Sequence, residues 1–158
     1  MNVQIIDRIE QLRTCVTTSL RLGRTVGLVP TMGALHAGHI SLIDRAVGDC
    51  ELVIVSLFVN PTQFNKQNDF EGYPRTREED LLVCEQQGVD VVFAPSVKEM
   101  YTGSEQTIVD VSYLTDHLCG LARPGHFRGV ATVVAKLLNI TRADFVYFGE
   151  KDLSLIHI

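Results

Sequence analysis

Val26-Gly27-Leu28-Val29-Pro30-Thr31-Met32-Gly33-Ala34-Leu35-His36-Ala37-Gly38-His39 is the stretch whose reading decides the fold. Val26 to Val29 is an apolar run too short for a helix, and it stops at a proline, which reads as a buried strand. A glycine-containing turn follows. From about Gly38 to Asp49, Ile40, Ile43 and Val47 then fall on one helical face. Leu52 to Phe58 is a second apolar run, richer in β-branched side chains, and it ends at Asn60-Pro61. Strand, turn, helix and strand in that order predict a βαβ unit with parallel strands.

The same alternation extends in both directions. Upstream, Ile9, Leu12, Val16 and Leu20 recur at helical spacing between Asp7, a residue type suited to an N-cap, and the breaker Gly23. Downstream, Arg75 to Gln87 reads as a charged helix carrying Leu81, Leu82 and Cys84, with Gly88 closing it before a strand from Val89 to Phe93. A short strand is expected from Thr107 to Val111. A helix from about Phe127 to Asn139 turns Val130, Val133, Val134, Leu137 and Leu138 inward, and a last strand, Phe145 to Phe148, runs into Gly149-Glu150-Lys151-Asp152. The pattern predicts an α/β fold with a doubly wound parallel sheet, in which ligands bind beyond the C-terminal ends of the strands.

Bulk properties bound the function. The chain has 158 residues, 46% hydrophobic and 21% charged, enough for one globular domain and too apolar for disorder. A net charge of -5 argues against a general nucleic-acid binder, which needs a basic face. No apolar run approaches the ~20 residues that span a bilayer. The start, Met1 to Asp7, lacks the basic region of a secretory signal, so a cytoplasmic protein without membrane partners is expected. Cys15, Cys50, Cys84 and Cys119 are scattered with no Cys-x-x-Cys pair, and read as reduced packing residues.

Four clusters carry chemistry, each at the end of an expected strand or the start of an expected helix. In His36-x-Gly38-His39, a signature of nucleotidyltransferases, the glycines Gly33 and Gly38 let backbone approach a nucleotide, and a helix start offers N–H groups to phosphate. Two imidazoles three residues apart project into one space, where they can donate to oxygens gaining charge in an α-phosphate displacement. Metal ligation and simple helix capping are the blander readings. No third metal ligand lies at a familiar spacing, so no metal site is expected. Gly-x-Gly-x-x-Gly and the P-loop pattern do not occur, which disfavours dinucleotide oxidoreductases and P-loop NTPases. Phe58-Val59-Asn60-Pro61-Thr62-Gln63-Phe64 offers two side-chain amides suited to hydroxyls and a carboxylate, or it is an ordinary Asn-Pro turn. Arg123-Pro124-Gly125-His126-Phe127-Arg128-Gly129 is a basic turn opening a helix, and Gly149-Glu150-Lys151-Asp152 places a lysine that could neutralise phosphate; either could also be a solvated charged turn.

These blocks, with Tyr73-Pro74-Arg75-Thr76 and Val92-Phe93-Ala94-Pro95-Ser96, resemble the pantothenate synthetase family in order and spacing over residues 1–152. The resemblance implies a Rossmann-like domain for ATP and pantoate over 1–152. It implies ATP contacts from Met32, Gly33, Ala34, Leu35, His36, Ala37, Gly38 and His39, with His39 as proton donor and His36 beside it. It further implies Gln63 on pantoate near the β-alanine site, Asn60 assisting it, and a second ATP turn of Gly149, Glu150, Lys151 and Asp152, with Lys151 on phosphate. Tyr73, Arg123 and His126 would line the pocket. The implied reaction condenses pantoate with β-alanine through a pantoyl adenylate, with Mg2+ carried on ATP, in a homodimer. Other His-x-Gly-His nucleotidyltransferases, or a non-catalytic remnant that binds ATP or dimerises, are the alternatives. After Asp152 the family continues with an aromatic residue and two glutamines, whereas Leu153-Ser154-Leu155 stands here. Residues 153–158 also translate a transposon-end adapter sequence, so they are expected to be a non-native tail, and the chain alone is expected to turn over little or not at all.

Overall fold

The computed structural model describes residues 3–111 and 123–150. Five strands, β1 (Gln4–Ile6), β2 (Val26–Thr31), β3 (Leu52–Leu57), β4 (Val91–Phe93) and β5 (Phe145–Val146), form one sheet in the order β1-β4-β3-β2-β5. Every pairing is parallel, and the longest joins β2 to β3, from Val26 opposite Leu52 to Thr31 opposite Leu57. The helices are α1 (Ile9–Arg21), α2 (Ala37–Asp49), α3 (Gln67–Glu71), α4 (Arg77–Gln86), α5 (Val97–Met100) and α6 (His126–Thr141). Crossovers between parallel strands are right-handed, so connections that run toward β5 and connections that run away from it place their helices on opposite faces.

The two cores follow from that winding. Leu28, Ile54, Val91 and Phe93 pack with Leu12 and Val16 of α1 and Val133 and Leu137 of α6. Their strand neighbours Val29, Val53, Val55 and Val92 pack with Ile43 and Ala46 of α2 and Cys84 of α4. Alternate side chains of one strand thus feed opposite layers, which is why these strands read as continuous apolar runs. Each fully buried Val, Leu, Ile or Phe contributes about 1.5–3 kcal/mol of transfer free energy. Burial pushes the Cys84 thiol up to about 12, with the Asp80 carboxylate adding to the rise. Cys15, Cys50 and Cys84 are all free thiols.

The doubly wound parallel sheet predicted from the sequence is the fold observed, with corrections in detail. β1 was not foreseen; its three residues are too few to register as a run, and it pairs with β4 at the sheet edge. The strand expected from Thr107 to Val111 does not form. Val109 instead donates its N–H to Thr132 Oγ1 of α6 at 3.1 Å and accepts from the same hydroxyl at 3.3 Å, so a side chain takes the place of a strand partner. The N-cap of α1 is Arg8 and not Asp7; it makes no side-chain cap, and the Ile9 N–H is taken by Glu99 Oε1 at 2.9 Å. β2 continues past Val29 through Pro30 and Thr31, and β5 covers only Phe145 and Val146 of the expected Phe145 to Phe148.

After β3 the chain makes a 3-10 turn, Pro61–Gln63, against which α6 packs at Gly129. A Cβ at Gly129 would lie 2.4 Å from the Thr62 carbonyl oxygen and 2.7 Å from the Gln63 nitrogen, so neither backbone can yield cheaply. Gly129→Ala is expected to destabilise the fold by roughly 1–3 kcal/mol, read as a lower urea midpoint at unchanged m-value. An unchanged midpoint would mean that helix and turn do not touch as described.

Candidate functional site

The site starts where β2 and β3 end together. Thr31 Oγ1 donates to the Ser56 carbonyl at 2.7 Å, and the Thr31 N–H reaches Ser56 Oγ at 3.2 Å. The Gly33 N–H in turn donates to Thr31 Oγ1 at 3.1 Å, so the turn leaving β2 is fastened at its first step. Gly33 has φ +85° and Ala34 φ +51°, both in the left-handed region; that conformation is ordinary for glycine and strained for alanine.

The histidines make a reciprocal cap. His36 is the N-cap of α2, and its Nδ1 accepts the Gly38 N–H at 3.1 Å. The His36 side chain also takes the N–H of His39, while His39 Nδ1 accepts the His36 N–H at 3.4 Å. The two rings stand 4.2 Å apart at 44°. This corrects the expectation of free N–H groups at the helix start, because the histidines themselves satisfy them, as a capping box does. It also sharpens the chemistry: with Nδ1 accepting, the proton of each neutral ring resides on Nε2, the edge turned away from the cap. Gly38 has a steric role as well, since a Cβ there would come within 2.9 Å of the His36 ring.

The amide pair is built from the other strand end. Asn60 is 1% exposed, and its Nδ2 donates to Gln63 Oε1 at 3.1 Å and to the Gly129 carbonyl at 3.0 Å. Its Oδ1 accepts from Tyr101 Oη at 2.9 Å, Thr62 Oγ1 at 2.9 Å and the Thr62 N–H at 3.3 Å. Gln63 is thereby aimed at the histidine turn, where its Nε2 meets Met32 Sδ at 3.0 Å. His126 joins from α6 through a 2.8 Å contact between Nδ1 and the Gln63 carbonyl. Tyr101 had no signal in the sequence; Lys136 stacks on its ring at 4.4 Å and is held by the Met100 carbonyl at 2.8 Å. Burial raises the Tyr101 hydroxyl above its ordinary value, which keeps it a donor.

The remaining candidates divide. Tyr73 is half-buried, packs edge-on against Phe64 at 5.7 Å, and is raised by burial and by Asp80 nearby. Arg123 is exposed, and its described contact is a carbonyl that accepts the His126 N–H, so its side chain is not tied to the amide pair. Gly149 is half-buried and Glu150 exposed just past β5, and Lys151 and Asp152 lie outside the described residues. Ala37 is exposed at the first position of α2, and Leu35 packs on the α2 and α4 layer. Among the described residues no group of three or more His, Cys, Asp or Glu is placed to hold a metal ion, and no helix is long and apolar enough to cross a membrane. A groove along α1, lined by Gln4, Arg8, Gln11, Cys15 and Ser19, contains none of the site residues.

A parallel doubly wound sheet with a capped histidine turn at the end of β2 and an amide turn at the end of β3 defines a domain of the nucleotidyltransferase class. The family of pantoate-beta-alanine ligases matches residues 4–158. The chain is 53% identical over 157 residues to the pantothenate synthetase of Alcanivorax borkumensis and 49% identical over 156 residues to that of Acetivibrio thermocellus, covering 99% of itself in both cases. It superposes with a TM-score of 0.92 and 44% identity on the pantoate-beta-alanine ligase of Francisella tularensis solved with Beta-gamma ATP and Beta-alanine, covering 98% of itself and 59% of that chain. The chain belongs to the pantoate-beta-alanine ligase family. It spans about half the length of the curated relatives it matches, 55% and 56% for the two named here.

Asn60→Asp replaces the two donated bonds with a carboxylate oxygen facing the Gly129 carbonyl and Gln63 Oε1. It is expected to cost about 2–3 kcal/mol, whereas Tyr101→Phe, which removes one of three donors to Asn60 Oδ1, is expected to cost about 1 kcal/mol. Denaturant midpoints of the two variants check the order, and the reverse order would contradict the burial of this amide.

Proposed function

We propose that the chain forms the ATP- and pantoate-binding domain of a pantothenate synthetase. The observation that carries this reading is the junction of the two turns: Gln63, steered by Asn60, meets Met32 of the histidine turn in a chain about half identical to enzymes of that name. In the proposed reaction a pantoate carboxylate oxygen attacks the α-phosphorus of Mg2+-bound ATP, the bond to the β-phosphate breaks, and pyrophosphate leaves. The β-alanine amine then attacks the acyl carbon of pantoyl adenylate, AMP leaves, and the amine loses a proton as pantothenate forms.

Both steps move negative charge onto oxygen, so donors held in place before the reaction are what the site must supply. The Nε2–H edges of His36 and His39 would face the phosphates, with His39 as proton donor. Gln63 would hold pantoate close to the β-alanine site, with Asn60 fixing its orientation through the 3.1 Å bond. Met32 to Leu35, Ala37 and Gly38 would frame the nucleotide, Gly149 to Asp152 would close over it with Lys151 on phosphate, and Tyr73 and His126 would line the pocket. Arg123, exposed at the turn before α6, would reach the pocket from the solvent side. A homodimer is the proposed assembly. The chain alone would form little or no pantothenate, because it spans only 55% and 56% of the relatives compared.

Calorimetric titration tests the reading. The expected result is saturable binding of Mg·ATP, tighter in the presence of pantoate, weakened about tenfold in Gln63→Ala for pantoate and in His39→Ala for ATP, with AMP release near background. Binding of CTP in preference to ATP, or ATP binding indifferent to pantoate, would overturn it.

A further inference from the structure

The run Glu78-Glu79-Asp80 looks like the solvated face of a charged helix, yet Asp80 turns inward and is 4% exposed. Its two oxygens grip the histidine turn: Oδ2 accepts the Ala34 N–H at 3.0 Å and Oδ1 accepts the Leu35 N–H at 2.8 Å. Thr76, at the start of α4, donates its hydroxyl to Oδ2 at 3.2 Å. The turn has no room for anything else there, because a Cβ at Gly33 would sit 2.9 Å from Oδ2.

We infer that Asp80 is a positioning residue for the histidines, a carboxylate from the next crossover on the same face of the sheet that holds the turn after β2 in the shape from which His36 and His39 project. Ala34 is the residue that needs holding, for its left-handed φ of +51° is unfavourable in isolation, and the Asp80 bond falls on its own N–H. A carboxylate accepting two adjacent N–H groups makes charge-assisted bonds, stronger than a neutral side chain offers. Burial raises the Tyr73 hydroxyl and the Cys84 thiol above their ordinary values, and the Asp80 charge adds to both rises. Asp80 does not reach the reacting atoms; it acts through the backbone of Ala34 and Leu35, while Thr76 couples it to the Tyr73-Pro74-Arg75-Thr76 block. That block is thereby structurally part of the nucleotide site although it lies between β3 and β4.

The inference rests on the proposed nucleotide role of the turn, so its test has an arm that needs no nucleotide. In the 158-residue chain, Asp80→Asn keeps the shape and loses one acceptor and the charge. The Ala34 and Leu35 amide resonances are expected to move upfield and lose exchange protection, the ring signals of His36 and His39 are expected to shift, and the Ile40 amide is expected to stay in place. The Kd for Mg·ATP is expected to rise about tenfold, while Val16→Ala, a core truncation on α1 that lowers thermal stability, leaves the Kd within about twofold of the parent. Unchanged turn amides in Asp80→Asn, or an ATP affinity that tracks thermal stability equally in both variants, would overturn the role of Asp80. An unaltered chain that binds no ATP but shows the amide changes on substitution would overturn the nucleotide reading and leave the anchor standing.

Discussion

The in-register parallel pairing of β2 with β3 is the constraint on which the rest of the molecule depends. β4 and β5 attach to its two outer sides, β1 attaches through β4, and both site turns leave from its C-terminal end. Its register is locked where the chain departs, by two hydrogen bonds between Thr31 and Ser56, polar residues buried at the C-terminal end of the apolar strands. Slipping a parallel pair by one residue would exchange the two core layers and carry Thr31 away from Ser56, so core composition and site geometry resist the same error.

On that platform the site is assembled almost wholly from polar groups that complete one another. The histidines cap their own helix, Asn60 spends its amide on Gln63, Gly129 and the Tyr101 and Thr62 donors, and Asp80 satisfies the turn between them. No described buried side-chain nitrogen or oxygen is left without a partner. A network in that condition resists rearrangement, since each member that moves strands another in a low-dielectric surrounding. The histidine cap also uses one edge of each ring for structure and turns the Nε2 edge away from the cap. Helix capping and phosphate contact, which looked like competing explanations of His36-x-Gly38-His39, are therefore compatible uses of the same side chains.

Much of this was legible in the residues and some was not, for identifiable reasons. β2, β3 and the helices α1, α2 and α6 are legible because double-sided burial gives unbroken apolar runs and one-sided burial gives helical spacing. β1 escaped because a three-residue strand contains no periodicity, and Thr107 to Val111 misled because β-branched side chains cannot reveal that Thr132 will take the backbone's bonds. The cap on α1 comes from Glu99, ninety positions away in the chain, which no local pattern can show. In the site, the histidines and amides stood out by spacing. Asp80 was hidden in a run of acids, although its place four residues after Thr76 and four before Cys84 puts it on the helix face that turns inward.

The order of strands across the sheet also has a meaning in time. The strand Gln4–Ile6 finds its partner in Val91–Phe93, while the pair Val26–Thr31 and Leu52–Leu57 closes over a much shorter loop. During synthesis the middle of the sheet can therefore form first, and Gln4–Ile6 has no strand partner until Val91–Phe93, much later in the chain, has emerged. β1 is thus made before the central pair and secured after it. For that interval, chaperones or neighbouring nascent chains have access to it.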